Sequence, residues 1–167
     1  MSSPARIEPG PGQESVWDYP RPPRIEPSKR RVRVIFNGTA VGDSTRAVRI
    51  LETSSPPTYY LPPEDVAPGL LRPAADERTT WCEWKGRASY LDLVAGDRVS
   101  ERAAWRYENP RPDFEAIAGW VAFYPGRVDE CNLGDERVRP QGGTYYGGWV
   151  TDEIVGPYKG EPGTESW

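Results

Sequence analysis

Beyond residue 30 the chain alternates apolar and polar positions with the two-residue period of a strand, in short runs separated by turn residues. In residues 31–36, Val32, Val34 and Phe36 alternate with more exposed positions. Asn37-Gly38 then accepts the positive φ that both central positions of a type I′ turn require, which predicts a hairpin. Residues 47–52 read as the next long strand. Double prolines at 56–57 and 62–63 bracket a short strand over 58–61 and assign it to a sheet edge or rim. Further strands are expected over 79–84, 87–94, 99–105, 120–124 and 128–133, with turns at Lys85-Gly86, Ala95-Gly96-Asp97 and Gly134-Asp135. Helical signal is confined to one turn within 63–71, interrupted by Pro68-Gly69, and to a short helix over 113–118. Strands this short and this regularly spaced predict an antiparallel all-β domain.

Two flanks break the rhythm. Residues 1–29 are rich in Pro, Gly and charge and read as an extended arm, pinned onto the domain or a partner by the aromatic pair Trp17 and Tyr19. Residues 140–167 are Gly-rich and studded with Tyr145, Tyr146, Trp149, Tyr158 and Trp167, which predicts an ordered wrap. The β domain between them spans 30–139. A chain of 167 residues suits one domain, and its 17 Gly and 19 Pro argue against long helices.

A net charge of −4 argues against a dedicated nucleic-acid surface, which needs clustered positive charge. The basic cluster Arg21, Arg24, Lys29, Arg30, Arg31 and Arg33 is read as a solvated face or edge protection, because Arg31 and Arg33 share the strand face opposite Val32 and Val34. No apolar run approaches the roughly 20 residues that cross a bilayer, and the start lacks the apolar core of a signal peptide. The expectation is therefore a cytoplasmic protein with no membrane partner. Histidine is absent, which removes Ser-His-Asp and Cys-His nucleophilic systems and zinc sites that depend on histidine. Cys82 and Cys131 are far apart and expected as reduced thiols, Cys82 as a small buried hydrophobe. No metal and no cofactor are expected.

Two runs, 52–66 and 82–90, combine stiff prolines with several Tyr and Trp, one Lys and a carboxylate, the usual lining of a concave site for a small planar or polar ligand. Lys85 reads either as an anion ligand or desolvated nucleophile, or as a turn lysine facing solvent. Glu52, at the end of an apolar strand, pairs with Lys85, accepts a ligand N–H, or is an exposed carboxylate before a loop. Tyr59, Tyr60, Tyr90, Trp105 and Tyr107 offer the area for an aromatic cage, with Tyr60 and Trp105 preferred, against the alternative that they are simply core. Ser44 is assigned a local hydrogen-bonding role. The acidic pairs Glu64-Asp65, Asp76-Glu77, Asp129-Glu130 and Asp152-Glu153 are sequence neighbours, and neighbours on a strand face opposite ways, so none makes a ready two-metal site. The pairs Gly142-Gly143 and Gly147-Gly148 lack a following Lys-Ser or Lys-Thr and are read as turns and close aromatic packing.

An ordered set of motifs carries a resemblance. It comprises Arg33 to Gly38 with Asp43-Ser44, Leu51-Glu52-Thr53 with Pro56-Pro57 and Tyr59-Tyr60, Pro62 to Val66, Cys82-x-Trp84-Lys85-Gly86-x-Ala88-x-Tyr90, Ala104-Trp105-x-Tyr107 with Pro110, and Ala118-Gly119-x-Val121-Ala122-Phe123-Tyr124. Over about residues 30–139 the chain resembles the domain-of-unknown-function family 427, also catalogued under a nucleotidyltransferase label. The resemblance implies a β-tent fold, in which two antiparallel sheets meet at an angle with a ligand pocket between or beside them. Many β-tent relatives hold zinc with pairs of cysteines; this chain keeps only Cys82 near one expected position, so zinc chemistry does not carry over.

The functional expectation is a β-tent module that binds a small planar or nucleotide-like ligand through Glu52, Tyr60, Lys85, Tyr90, Trp105 and Tyr107. Two alternatives stay open: a metal-independent enzyme, nucleotidyl transfer by the family label, working through Lys85, Glu52 and Tyr60, and a protein-interaction module presenting the aromatic arms. A homodimer is left open.

Overall fold

The alternation in residues 31–36 becomes the strand Val32–Phe36 in a computed structural model of the chain, with Val32, Val34 and Phe36 buried and Arg33 and Ile35 half-buried. The structure describes residues 5–76, 79–143, 145–164 and 166–167; Met1 to Pro4 and Glu77 of the Asp76-Glu77 pair lie outside them. Asn37 and Gly38 both take positive φ, 51° and 73°, and return the chain into Thr39–Ser44. Glu130–Leu133 pairs on the other side of Val32–Phe36, and Glu136–Arg137 completes a four-stranded antiparallel sheet.

The larger sheet has eight strands, all paired antiparallel. Its order is Arg24–Pro27, Val48–Leu51, Thr58–Leu61, Val121–Phe123, Arg98–Arg106, Gly86–Ala95 and Leu71–Pro73, with Thr79–Cys82 also pairing on Gly86–Ala95. The edge assignment of Thr58–Leu61 is corrected here, because that strand lies inside the sheet with partners on both sides. The prolines at 56–57 and 62–63 fall outside its four residues and remove no amide donor from either ladder. They delimit the strand without exposing it. The edge itself is Arg24–Pro27, drawn from the Pro-rich N-terminal segment, and its Pro27 sits where a missing amide costs least. The helical turns are short 3₁₀ pieces, Pro63–Asp65 and Pro112–Ile117 among them.

Both faces of the large sheet are apolar. One face packs on the four-stranded sheet, where Val32, Val34, Phe36, Val41 and Leu133 meet Tyr59, Leu61, Leu91, Leu93, Ala104, Val121 and Phe123. The alternate residues on the same strands, Tyr60, Ala88, Trp105, Ala122 and Tyr124, form a second cluster on the opposite face with Ile50, Tyr107, Phe114 and Ile117. Gly42 lets the sheets approach, since a Cβ there would lie 2.8 Å from Leu61 Cδ2.

The flanks pack on each other. Val16 and Tyr19 bury against Leu51 and Ile154, Trp17 Nε1 donates to the Pro157 carbonyl at 2.9 Å, and Glu14–Ser15 pairs in parallel with Ile154–Val155. The basic cluster meets carboxylates: Arg31 with Asp43 at 2.6 Å, Arg24 with Glu26 at 3.0 Å, and Arg30 with Glu153. Such exposed pairs place the charges without adding much stability. Ser44 has the local role expected of it, donating to Asp65 at 2.6 Å and accepting from the Arg46 amide at 3.0 Å. Both cysteines are free thiols, Cys131 buried and Cys82 half-buried. Among the described residues no helix is long and apolar enough to cross a membrane.

Candidate functional site

The second apolar face carries a transverse row across the large sheet. In register, Val48 stands beside Tyr60, Tyr60 beside Ala122, Ala122 beside Trp105 and Trp105 beside Tyr90. Ala122 is the small member, and over it Trp105 Nε1 donates to the Tyr60 hydroxyl at 3.1 Å, the two rings meeting edge to face at 6.1 Å. Tyr107, two residues beyond Trp105, approaches Tyr60 at 6.4 Å, and Tyr124 tilts against Trp105 at 4.7 Å. Tyr90 shares a hydrogen bond of 2.9 Å with the Thr80 hydroxyl. These contacts hold the rings in fixed positions around a cavity of about 440 Å³, within the size range of small-molecule sites.

Glu52, Tyr60, Lys85, Tyr90, Trp105 and Tyr107 all line this cavity. Lys85 ends the turn between Thr79–Cys82 and Gly86–Ala95, which turns it inward, and only 9% of its surface is exposed. Its ammonium lies 5.8 Å from the Tyr107 ring centre and 5.9 Å from that of Phe114. Burial works against the Lys85 charge, Tyr60, Cys82 and Glu52 favour it, and the net direction of its pKa is upward. Burial likewise raises the Tyr60 and Tyr107 phenols, which stay protonated. Of the three groups that favour the ammonium, Glu52 is the only carboxylate, and it forms its ion pair with Arg21 at 3.4 Å rather than with Lys85.

Several lining residues carry no signal of a site in the strand pattern. Trp81 comes from the strand Thr79–Cys82, just before the run over 82–90 that did carry the signal, and Gln141, Tyr145, Tyr146, Gly147 and Lys159 come from the C-terminal flank. The double glycines are the signal that points to the flank. A Cβ on Gly147 would sit 2.6 Å from Trp105 Cζ3 and 3.2 Å from Tyr124 Cδ1, so glycine alone lets the flank lie on the indole. Tyr124 then donates to the Tyr145 carbonyl at 3.0 Å, and Gln141 accepts from the Gly148 amide at 3.0 Å. Gly147→Ala is expected to lower stability by about 1–3 kcal/mol, the usual cost of overpacking between rigid rings, and to detach the flank. Thermal melts with limited proteolysis check it; an unchanged melt with intact protease resistance contradicts this packing.

At the mouth, three of the five large apolar side chains exposed among the described residues meet: Trp81, 63% exposed, Tyr145 and Tyr146. A second cavity beside Pro125 and Pro140 has no aromatic lining, and its Asp129 is already held by Arg98 at 2.7 Å.

Among the described residues no group of three or more His, Cys, Asp or Glu side chains is placed to hold a metal ion. The acidic pairs serve arginines instead: Asp65 binds Arg46 at 2.9 Å, Asp129 binds Arg98, and Asp152 binds Arg139 at 2.9 Å.

A family model described as a domain of unknown function (DUF427) matches residues 24–134, about two thirds of the chain. The match takes in the strands that carry Tyr60, Lys85, Tyr90 and Trp105 and stops short of the flank that supplies Tyr145 to Lys159. A search of curated proteins finds no match.

Proposed function

Because this chain belongs to the DUF427 family, described as a domain of unknown function, we propose its function from its own cavity: it is a binding module for a small planar ligand. The observation that supports this reading most directly is the convergence of the Lys85 ammonium and the Trp105 indole on one aromatic-lined cavity. Rings fixed by their mutual contacts offer a planar molecule stacking area without a further ordering cost. The enzyme alternative would use Lys85 as base or nucleophile. A lysine whose charge is favoured rather than suppressed suits anion pairing better than either role.

The test uses the rim, where substitution leaves the fold alone. Trp81→Ala combined with Tyr145→Ala is expected to keep stability within about 0.5 kcal/mol per site, because both side chains are largely exposed. The same variant should weaken binding of a planar probe such as 2-naphthol by roughly tenfold, from two lost aromatic contacts of about 0.5–1.5 kcal/mol each. Unchanged affinity in a folded variant removes the cavity as the binding site.

A further inference from the structure

The charges around the cavity narrow the class of ligand, given the small-planar-ligand reading on which this step rests. Among the described residues four charged side chains line it: Glu52, Glu83, Lys85 and Lys159. Glu52 is tied to Arg21, Glu83 is exposed, and the Lys159 ammonium donates to the Trp167 carbonyl at 3.2 Å. Lys85 is left buried and charged, facing aromatic rings and a thiol, with no carboxylate of the described residues bound to it. A buried ammonium set against ring faces and a thiol, with no ion pair of its own among the described residues, attracts one negative charge strongly.

A polyphosphate needs more than this. Phosphates are held by arginine forks, by successive backbone amides or by helix N-termini. Among the described residues the lining contains no arginine, and the helices are 3₁₀ turns of six residues or fewer. One ammonium with neighbouring protonated phenols, Tyr60 and Tyr107, matches the charge and the two acceptor oxygens of a single carboxylate. We propose that this cavity selects planar aromatic monocarboxylates, with the carboxylate on Lys85 and the ring against Trp105, and that it does not take nucleoside polyphosphates.

The experiment titrates the full chain and its Lys85→Met variant with three probes: 2-naphthoate, the neutral 2-naphthalenemethanol, and ADP. Wild-type protein is expected to prefer 2-naphthoate over the alcohol by about tenfold or more, the span of a hydrogen bond to a charged group. Lys85→Met should abolish that preference by weakening 2-naphthoate about tenfold while moving the alcohol less than about twofold, and ADP should not bind. Methionine fills the stem's volume without a charge; should Lys85→Met melt early, Lys85→Gln is read in its place. Equal affinity for naphthoate and alcohol, a preference that survives loss of Lys85, or ADP binding tighter than naphthoate each overturns the monocarboxylate proposal and leaves the planar-ligand reading standing. Failure of both naphthalene probes to bind the wild type overturns that reading as well.

Discussion

Trp149→Ala is expected to lower stability by about 3–5 kcal/mol, the cost of truncating a fully buried indole. Trp149 is 1% exposed, packs on Tyr59 at 4.9 Å and donates Nε1 to the Phe123 carbonyl at 3.0 Å. Truncation opens a cavity between the sheets and orphans a carbonyl in the strand that borders the cavity row, so the two losses fall in one place. For a domain of this size the melting temperature should drop on the order of 10 °C. Guanidinium and thermal unfolding measure it. The residue lies beyond the stretch matched by the family model, so the result also decides whether the C-terminal flank is core or ornament. A loss under about 1 kcal/mol, the range of a surface change, shows the flank to be dispensable.

Alkaline pH should unfold the protein cooperatively above about pH 10, where free tyrosines ionise. Burial is the largest cause that raises Tyr19, Tyr60 and Tyr107, reinforced by Glu14 at Tyr19 and by Tyr60 at Tyr107 and opposed by Lys85 at Tyr60, and burial pushes Tyr59 up to about 12. Above pH 10 the folded chain therefore keeps protons that the unfolded chain has released. The stability contribution is whole below that pH and falls as pH rises toward the folded values, by about 1.4 kcal/mol per unit for each phenol. Four such phenols withdraw about 5 kcal/mol per pH unit, comparable with the whole stability of many domains. Lys85, also raised, acts in the same direction. Tyrosinate absorbance should rise in step with loss of the near-ultraviolet circular dichroism. Titration of most tyrosines near pH 10 with the dichroism intact contradicts this account.

The strand hairpin at Asn37-Gly38 was legible because a two-residue turn with positive φ leaves few alternatives. The strands carrying Tyr60, Tyr90 and Trp105, and the turn carrying Lys85, were legible from alternation and turn residues. The interior place of Thr58–Leu61 was not, because bracketing prolines look the same whether they end an edge strand or an inner one, and only the positions of the missing amides relative to the ladders separate the two. The contribution of Tyr145, Tyr146, Gly147 and Lys159 to the cavity was not legible either, since it depends on a contact between Gly147 and Trp105 across more than forty positions of sequence.

Local chemistry alone determined that this is an antiparallel all-β chain with a net negative charge, and which residue types are available for a site. Alternation also determined that Tyr59 and Leu61 share one strand face and Tyr60 takes the other, while strand pairing set Ala122 and Trp105 beside Tyr60. Only the tertiary structure decided which face meets the second sheet and which lines the cavity. Both faces are apolar and aromatic, so burying either one satisfies the hydrophobic pattern; the choice rests on strand order and on the flank that closes over Trp105, and neither is encoded within any single strand.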